Sequence, residues 1–489
     1  MTSHIRAAFA IALLTLVSSA TAAEKTEAFE KDPGWEGVNN RSAHTNPPVM
    51  VRQDFGYSRT NHAGGNSGEI GGFITPAAET AYYASKIPTA TFNDKLSASG
   101  TLAVPAGEFH LLLGFFNADT VNEWRTPNSL ALRINGRGKF FFVYPEFLTS
   151  KWRIGALDDP RSKGFGTLDE RGREKLFEFP SGGKVYKWSL TYDPKGNDGK
   201  PMLTATIGDR TAVSFPDPAY LADGGIFNRF GILNIMKSYD GGGEIYIDNV
   251  VLNGKPESFD DDPKWEGRGN RRTYESKNVR FNFDFGYSPA TNFARGRATG
   301  ELGGIMFRGD CRAARTMACY GDKVGPLKLD KPMRASGKLA FTRGVTDSSA
   351  MLGFYHSTKS LEVSNRQDSG SPKCFVGFVI EGPSAEGFYV YPGYRMDGDQ
   401  QGSRARDPNP LHIYPDGKPH DWTLEYDPAA ADGRGRITMT LDGKSVHCDL
   451  AEGHKVDSTT FDRFGSVTSW IDGNSVDAYF DDITYTVSQ

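Results

Sequence analysis

The sequence predicts an all-β chain built from two tandem antiparallel β-sandwiches, on three observations. Most of the sequence occurs twice, at a spacing of about 230 residues from Phe29 to Phe259. Apolar residues fall in short alternating runs such as HLLLGFF, LALRING, KFFFVYP and KWSLTYDP, each strand-length and bounded by Gly, Pro, Asn or Asp. Runs at helical spacing are hard to find, while Gly (56 residues) and Pro (27) are abundant. About ten strands per copy without intervening helices indicate a two-sheet sandwich rather than an α/β fold.

Residues 1–23 read as a secretory signal peptide. His4 and Arg6 give a basic start, Ala7 to Val17 an apolar run, and Ser18 to Ala23 the small residues around a cleavage point near Ala22 or Ala23. The run is too short to span a bilayer. The expectation is a soluble protein, secreted or periplasmic, with no membrane insertion.

The first copy, 24–253, opens with FEKDPGWEGVNNR at Phe29, which returns as FDDDPKWEGRGNR at Phe259. The second copy, 254–489, repeats the later segments in the same order. DFGYS recurs from Asp54 to Asp284, GEIGG as GELGG from Gly68 to Gly300, and LGFF as LGFY from Leu113 to Leu352. FFVYPEF at Phe141 pairs with FYVYPGY at Phe388, WSLTYDP with WTLEYDP, and IYIDNV at Ile245 with AYFDDI at Ala478. Gly254 to Glu257 reads as a short linker. Positions kept in both copies are expected to be scaffold, and positions that differ are where function has room to diverge.

The net charge of −4, with both signs interspersed, provides no field for holding nucleic acid or an anionic membrane. Cys311, Cys319, Cys374 and Cys448 all lie in the second copy. In an exported chain they read as disulfides or buried free thiols ahead of a zinc site, whose usual CxxC spacing is missing. There is no GxSxG elbow and no Walker-type lysine loop.

A sandwich whose opening strand carries Trp35 and whose last strand reads IYIDNV resembles the concanavalin A-like lectin and glucanase jelly rolls, over both copies. The resemblance implies tandem jelly rolls and carbohydrate as the substrate class; the expectation for cofactors is that none is required. It implies no reaction. The ExDxE strand of the laminarinase- and agarase-like hydrolases is missing, as are the RxExR, QxH and YxKxGxY strands of the alginate-lyase-like jelly rolls.

In a jelly roll the first and last strands are neighbours, so Asp32, Asp262, Asp248 and Asp481 are candidate ligands of a structural calcium, which favours six to eight oxygens. The other reading makes them caps and turn residues that staple the sheet edge. Glu69 and its counterpart Glu301 each precede two glycines; Glu69 is a candidate general acid beside bare backbone, against the reading of GExGG as a bulge or tight crossing.

The residues that differ give the site expectation. In SLALRING, Leu130, Leu132 and Ile134 face the core and leave Arg133 and Asn135 on the other face. In KFFFVYPEF, Phe141 and Val143 are the core set, and Tyr144 and Glu146 share the opposite face. Neighbouring strands would join Arg133, Asn135, Tyr144 and Glu146 on one sheet face. Copy two has Val379, Glu381, Tyr391 and Gly393 at the aligned positions, having lost the cation and the second carboxylate. Glu123, Trp124, Arg125, Trp152 and Arg153 also occur in copy one alone. Trp stacks on sugar C–H faces, Arg forks onto hydroxyls or a carboxylate, and Tyr or Glu moves protons. The catalytic candidates are therefore Arg133, Tyr144, Glu146, Glu69 and Glu123. A second aromatic and basic patch, His356, Arg366, Tyr389 and Tyr391, is a binding candidate in copy two. The resulting expectation is an exported enzyme, polysaccharide lyase or glycoside hydrolase, working from the first sandwich. A non-catalytic glycan-binding or envelope protein using both copies for avidity is the alternative.

Overall fold

The computed structural model describes residues 23–42, 48–121, 126–155, 165–168, 170–172, 174–276, 278–345, 347–366, 370–384, 387–405 and 407–488. The leader expected at 1–23 lies, apart from Ala23, outside them.

Period-two patterning becomes four large antiparallel sheets, and the α-helix among the described residues is one short turn, Pro218–Leu221. No helix among the described residues is long and apolar enough to cross a membrane. In the first sandwich a back sheet runs from the edge strand Arg210–Ser214 through Lys200–Ile207, Val185–Asn197, Leu96–Ala103 and Gly243–Leu252 to Glu69–Ile74 and Val49–Ser58. The facing sheet, here the site sheet, contains Phe140–Leu148, Ser129–Gly136, His110–Phe116, Ile226–Asn234 and Tyr82–Thr91 in that order. The second sandwich repeats this plan. Its back sheet centres on Met333–Gly344 and Ser475–Val487, and its site sheet runs Cys319–Lys328, Thr460–Val467, Ser348–Tyr355, Phe375–Ser384, Gly387–Arg395. Alternate residues of each sheet interdigitate in the core, as Leu130, Leu132, Ile134, Phe141 and Val143 do in the first sandwich.

The sandwiches do not coincide with the sequence repeats. The opening segment of copy two completes the first sandwich: Lys255–Glu257 pairs with Gly243–Leu252, Glu266–Arg268 with Tyr82–Thr91, and Arg271–Ser276 with Val49–Ser58. The opening segment of copy one crosses to the second sandwich. Ala23–Glu27 pairs with the last strand, Ala23 facing Val487, and Glu36–Val38 pairs with Cys319–Lys328. The side chains follow the strands, so Phe29 and Trp35 are buried in the second core and Phe259 in the first. Asn40 donates to the Phe285 carbonyl and Asn270 to that of Phe55, both at 2.6 Å. The division at 253/254 therefore falls inside a sheet. Asn253 and Gly254, at φ +47° and +81°, make a tight hairpin turn into Lys255–Glu257 where the sequence suggested a linker.

Two backbone details allow this docking. Phe29 and Phe259 adopt left-handed φ of +51° and +56°, turning each ring into the core while its carbonyl faces Gly300 or Gly68. Those glycines have φ of +114° and +126°, and a Cβ on either would strike that carbonyl. Both are thus required by the GExGG motif in its scaffold role.

Candidate functional site

Arg133 pairs with Tyr144 across neighbouring strands of the first site sheet, with Asn135 opposite Phe142 and Ala131 opposite Glu146. Arg133, Tyr144 and Glu146 meet on the face turned away from the core. Arg133 Nε donates to Glu146 Oε2 at 3.1 Å, and its guanidinium carbon lies 3.8 Å from the centre of the Tyr144 ring. Sequence reasoning missed His110, whose Nε2 lies 2.8 Å from Arg133 Nη1. His110 faces Asn135 in register, and its place opposite that strand was the available signal. The Arg133 and Glu146 side chains are 10% and 0% exposed, while Tyr144 and His110 are half-buried.

The other copy-one candidates stand elsewhere. Trp152 stacks on Tyr414 of the second copy, ring centres 5.7 Å apart, and packs against the second core beside Leu148 and Ile154. It makes a contact between the copies. Arg153 is held by Asp223 at 2.7 Å and lies over the Tyr220 ring, outside the Arg133 cluster. Glu123, Trp124 and Arg125 lie outside the described residues. Glu69 is fully buried and accepts from the His62 and Ala63 amides at 2.8 to 2.9 Å. Glu301 does the same for Phe293 and Ala294 at 2.9 Å. Each carboxylate fastens a loop.

The second site sheet is open where the first is filled. A cavity of about 340 Å³ lies on its outer face, lined by Tyr391, Val379, Met351, Glu381, Ser349 and Arg308, with hydroxyls and an amide from Ser371, Gln401, Ser403 and Ser469. Register explains its origin. Met351, Val379 and Tyr391 form one cross-strand row, matching Leu112, Arg133 and Tyr144. Gly353, Gly377 and Gly393 form the next row, matching Gly114, Ala131 and Glu146. Val379 and Gly393 thus stand where Arg133 and Glu146 fill copy one. A side chain at Gly393 would meet only ordinary contacts, the nearest being Ser403 Cβ at 3.5 Å.

The cation missing from the aligned position of copy two is supplied from another strand end. Arg308 follows the back-sheet strand Glu301–Phe307, opposite Pro76 when the copies are matched at Glu69 and Glu301. Its Nη2 donates to Glu381 at 2.6 Å and its Nη1 to Asp347 at 3.0 Å. Tyr391 donates its phenol proton to Glu381. Burial, reinforced by the charge of Glu381, holds the Tyr391 pKa well above the usual tyrosine range. Of the copy-two candidates, Tyr391 lines the cavity and Tyr389 faces Glu381 in the adjoining row. His356 accepts from Thr358 at a short turn, and Arg366 is paired with Asp399 at 2.9 Å; neither lines the cavity.

Asp32 and Asp262 cap turns by accepting from Gly34 and Lys264 at 2.9 Å. Asp248 and Asp481 are buried beside the loops held by Glu69 and Glu301. Among the described residues no three His, Cys, Asp or Glu side chains are grouped so that they could hold a metal ion. The four cysteines are buried free thiols; burial pushes Cys374 and Cys448 up to about 11.

No protein-family model matches the chain, and no curated protein matches it. Solved structures that match include domains LG4-5 of the mouse laminin alpha1 chain, at 11% identity and a TM-score of 0.22, covering 89% of this chain and 91% of that one. The alginate lyase AlyC3 matches at 10% identity and 0.25, over 39% of this chain and 75% of that one. The Lotus tetragonolobus seed lectin matches at 12% identity and 0.25, over 41% and 92%. At these identities and TM-scores the matches carry no argument about this chain.

Proposed function

We propose that the protein is an exported glycan-binding protein that seats a saccharide in the outer-face cavity of its second sandwich. The observation carrying this reading is the cavity itself. Its size suits one or two sugar rings, and it combines an apolar floor of Met351 and Val379 with hydroxyl, amide and charged groups at the walls. Opposed apolar and hydrogen-bonding surfaces are what a pyranose ring presents to its binder.

The same geometry ranks binding above cleavage. A lyase of the tyrosine type needs a phenolate that takes up a proton, whereas burial holds Tyr391 as the neutral phenol. A glycosidase needs two carboxylates about 5 to 10 Å apart across the bond. Among the described lining residues Glu381 is the single carboxylate, and its charge is engaged by Arg308 and Tyr391. Cleavage stands as a second reading because the Tyr391–Glu381 hydrogen bond offers a proton path at the cavity wall.

The test is affinity electrophoresis of the purified protein through gels containing individual polysaccharides, alongside assays for reducing ends and for absorbance near 235 nm. Retardation without new reducing ends supports binding. Unsaturated product supports a lyase and new reducing ends alone a hydrolase. Absence of all three overturns both readings.

A further inference from the structure

This inference rests on the glycan-binding reading and adds the class of glycan. Among the described lining residues Arg308 is the basic side chain, and it is already engaged by two carboxylates, Asp347 at 3.0 Å and Glu381 at 2.6 Å. The formal charges of Arg308, Asp347 and Glu381 sum to −1, and the Tyr391 phenol adds none. A free guanidinium would fork onto a uronate or sulfate, but this one is spoken for by protein acceptors. Behind Ser371 stands a second arginine, Arg395. It is 1% exposed at its side chain, is bound to Asp399 at 2.8 Å and to the Ser371 carbonyl at 3.2 Å, and lies against the Trp470 ring. It cannot reach a ligand in the cavity.

We propose that the cavity selects uncharged or amino-substituted sugars and discriminates against polyuronates and sulfated glycans. An incoming carboxylate would meet Glu381 in a partly desolvated site where its natural partner is occupied. An incoming hydroxyl or ammonium would find in Glu381 a carboxylate acceptor, and in Ser349, Ser403 and Gln401 neutral partners. Specificity thus arises from an unfavourable contact with the wrong ligand as much as from a favourable one with the right one.

The experiment compares retardation of the full chain on β-glucan, mannan, galactan and chitosan with that on alginate and polygalacturonate, at about 0.15 M salt so that distant charges are screened. The expected result is retention by at least one neutral or amino glycan, with polyuronate binding at least about tenfold weaker. Glu381→Gln keeps the side-chain shape, removes the charge and narrows that gap. Should Glu381→Gln fail to fold, Asp347→Asn removes the other charge from a side chain that is 70% exposed and tolerates change. Polyuronate binding equal to or tighter than neutral glycan overturns the selectivity while leaving glycan binding in place. A gap unchanged by a folded charge-removing variant also overturns it. Retention on none of the glycans overturns the binding reading and this inference together.

Discussion

Phe29→Ala tests the crossing of the opening segments. In sequence, Phe29 belongs to copy one; in space its ring is fully buried in the core of the second sandwich, edge-on to Trp35 at 5.2 Å. Truncating a buried Phe removes transfer free energy and leaves a cavity, together costing about 3 to 5 kcal/mol. Alanine at φ +51° carries a backbone strain similar to that of phenylalanine, so the truncation isolates packing. For a unit of roughly 200 residues, about 2 to 4 °C per kcal/mol gives a melting shift of about 6 to 20 °C. Hydrogen exchange read by mass spectrometry localises the loss. Amides in 284–487 are expected to lose protection while those in 49–276 keep it, and Phe259→Ala is expected to do the reverse. If Phe29→Ala deprotects 49–276, or melts both segments equally, the exchange of opening segments is wrong.

Three further outcomes are expected. Gly393→Glu places a carboxylate arm where Glu146 sits in copy one, and should abolish glycan retention with a melting temperature near that of the parent, because the space there is open. Tyr391→Phe removes a hydrogen bond to a charged acceptor and should cost about 1.5 to 3 kcal/mol, read from the denaturant midpoint. Burial raises Asp481 to about 7 and Asp248 to about 6, against roughly 3.9 unfolded. The folded chain therefore binds more protons than the unfolded chain between about pH 4 and 7, and stability falls as pH rises through that window. Asp481→Asn should melt higher than the parent at pH 8 and lose that advantage at pH 4; an advantage that grows on acidification refutes the sign.

Local alternation made much of the fold legible. The core set Leu130, Leu132, Ile134, Phe141 and Val143, and the meeting of Arg133 with Tyr144, follow from a period of two and one hairpin register. The crossing of the opening segments was hidden because both copies carry nearly the same residues there. Trp35 and Trp265 fit either sandwich by pattern, and only chain closure chooses. The cavity was hidden for a different reason. Its key cation, Arg308, arrives from the back sheet and has no aligned counterpart, and its volume depends on a missing side chain at Gly393, which reads in sequence as loss of function rather than as room. The differences between the copies at these positions draw attention to the filled member of the pair, since a filled site shows more chemistry in its letters than an open one.

The pairing of Ala23 with Val487 also has a mechanical meaning. Among the described residues the first and last strands run antiparallel with Ala23 beside Val487, so tension applied at Ala23 and Val487 loads that pair first, then Glu24–Thr486, and so on to Glu27–Ile483. Bonds broken one at a time resist far less force than the same five pairs sheared together. The closed chain should peel open under a gentle pull from both ends, yet hold when gripped at one end or by a ligand on its outer face.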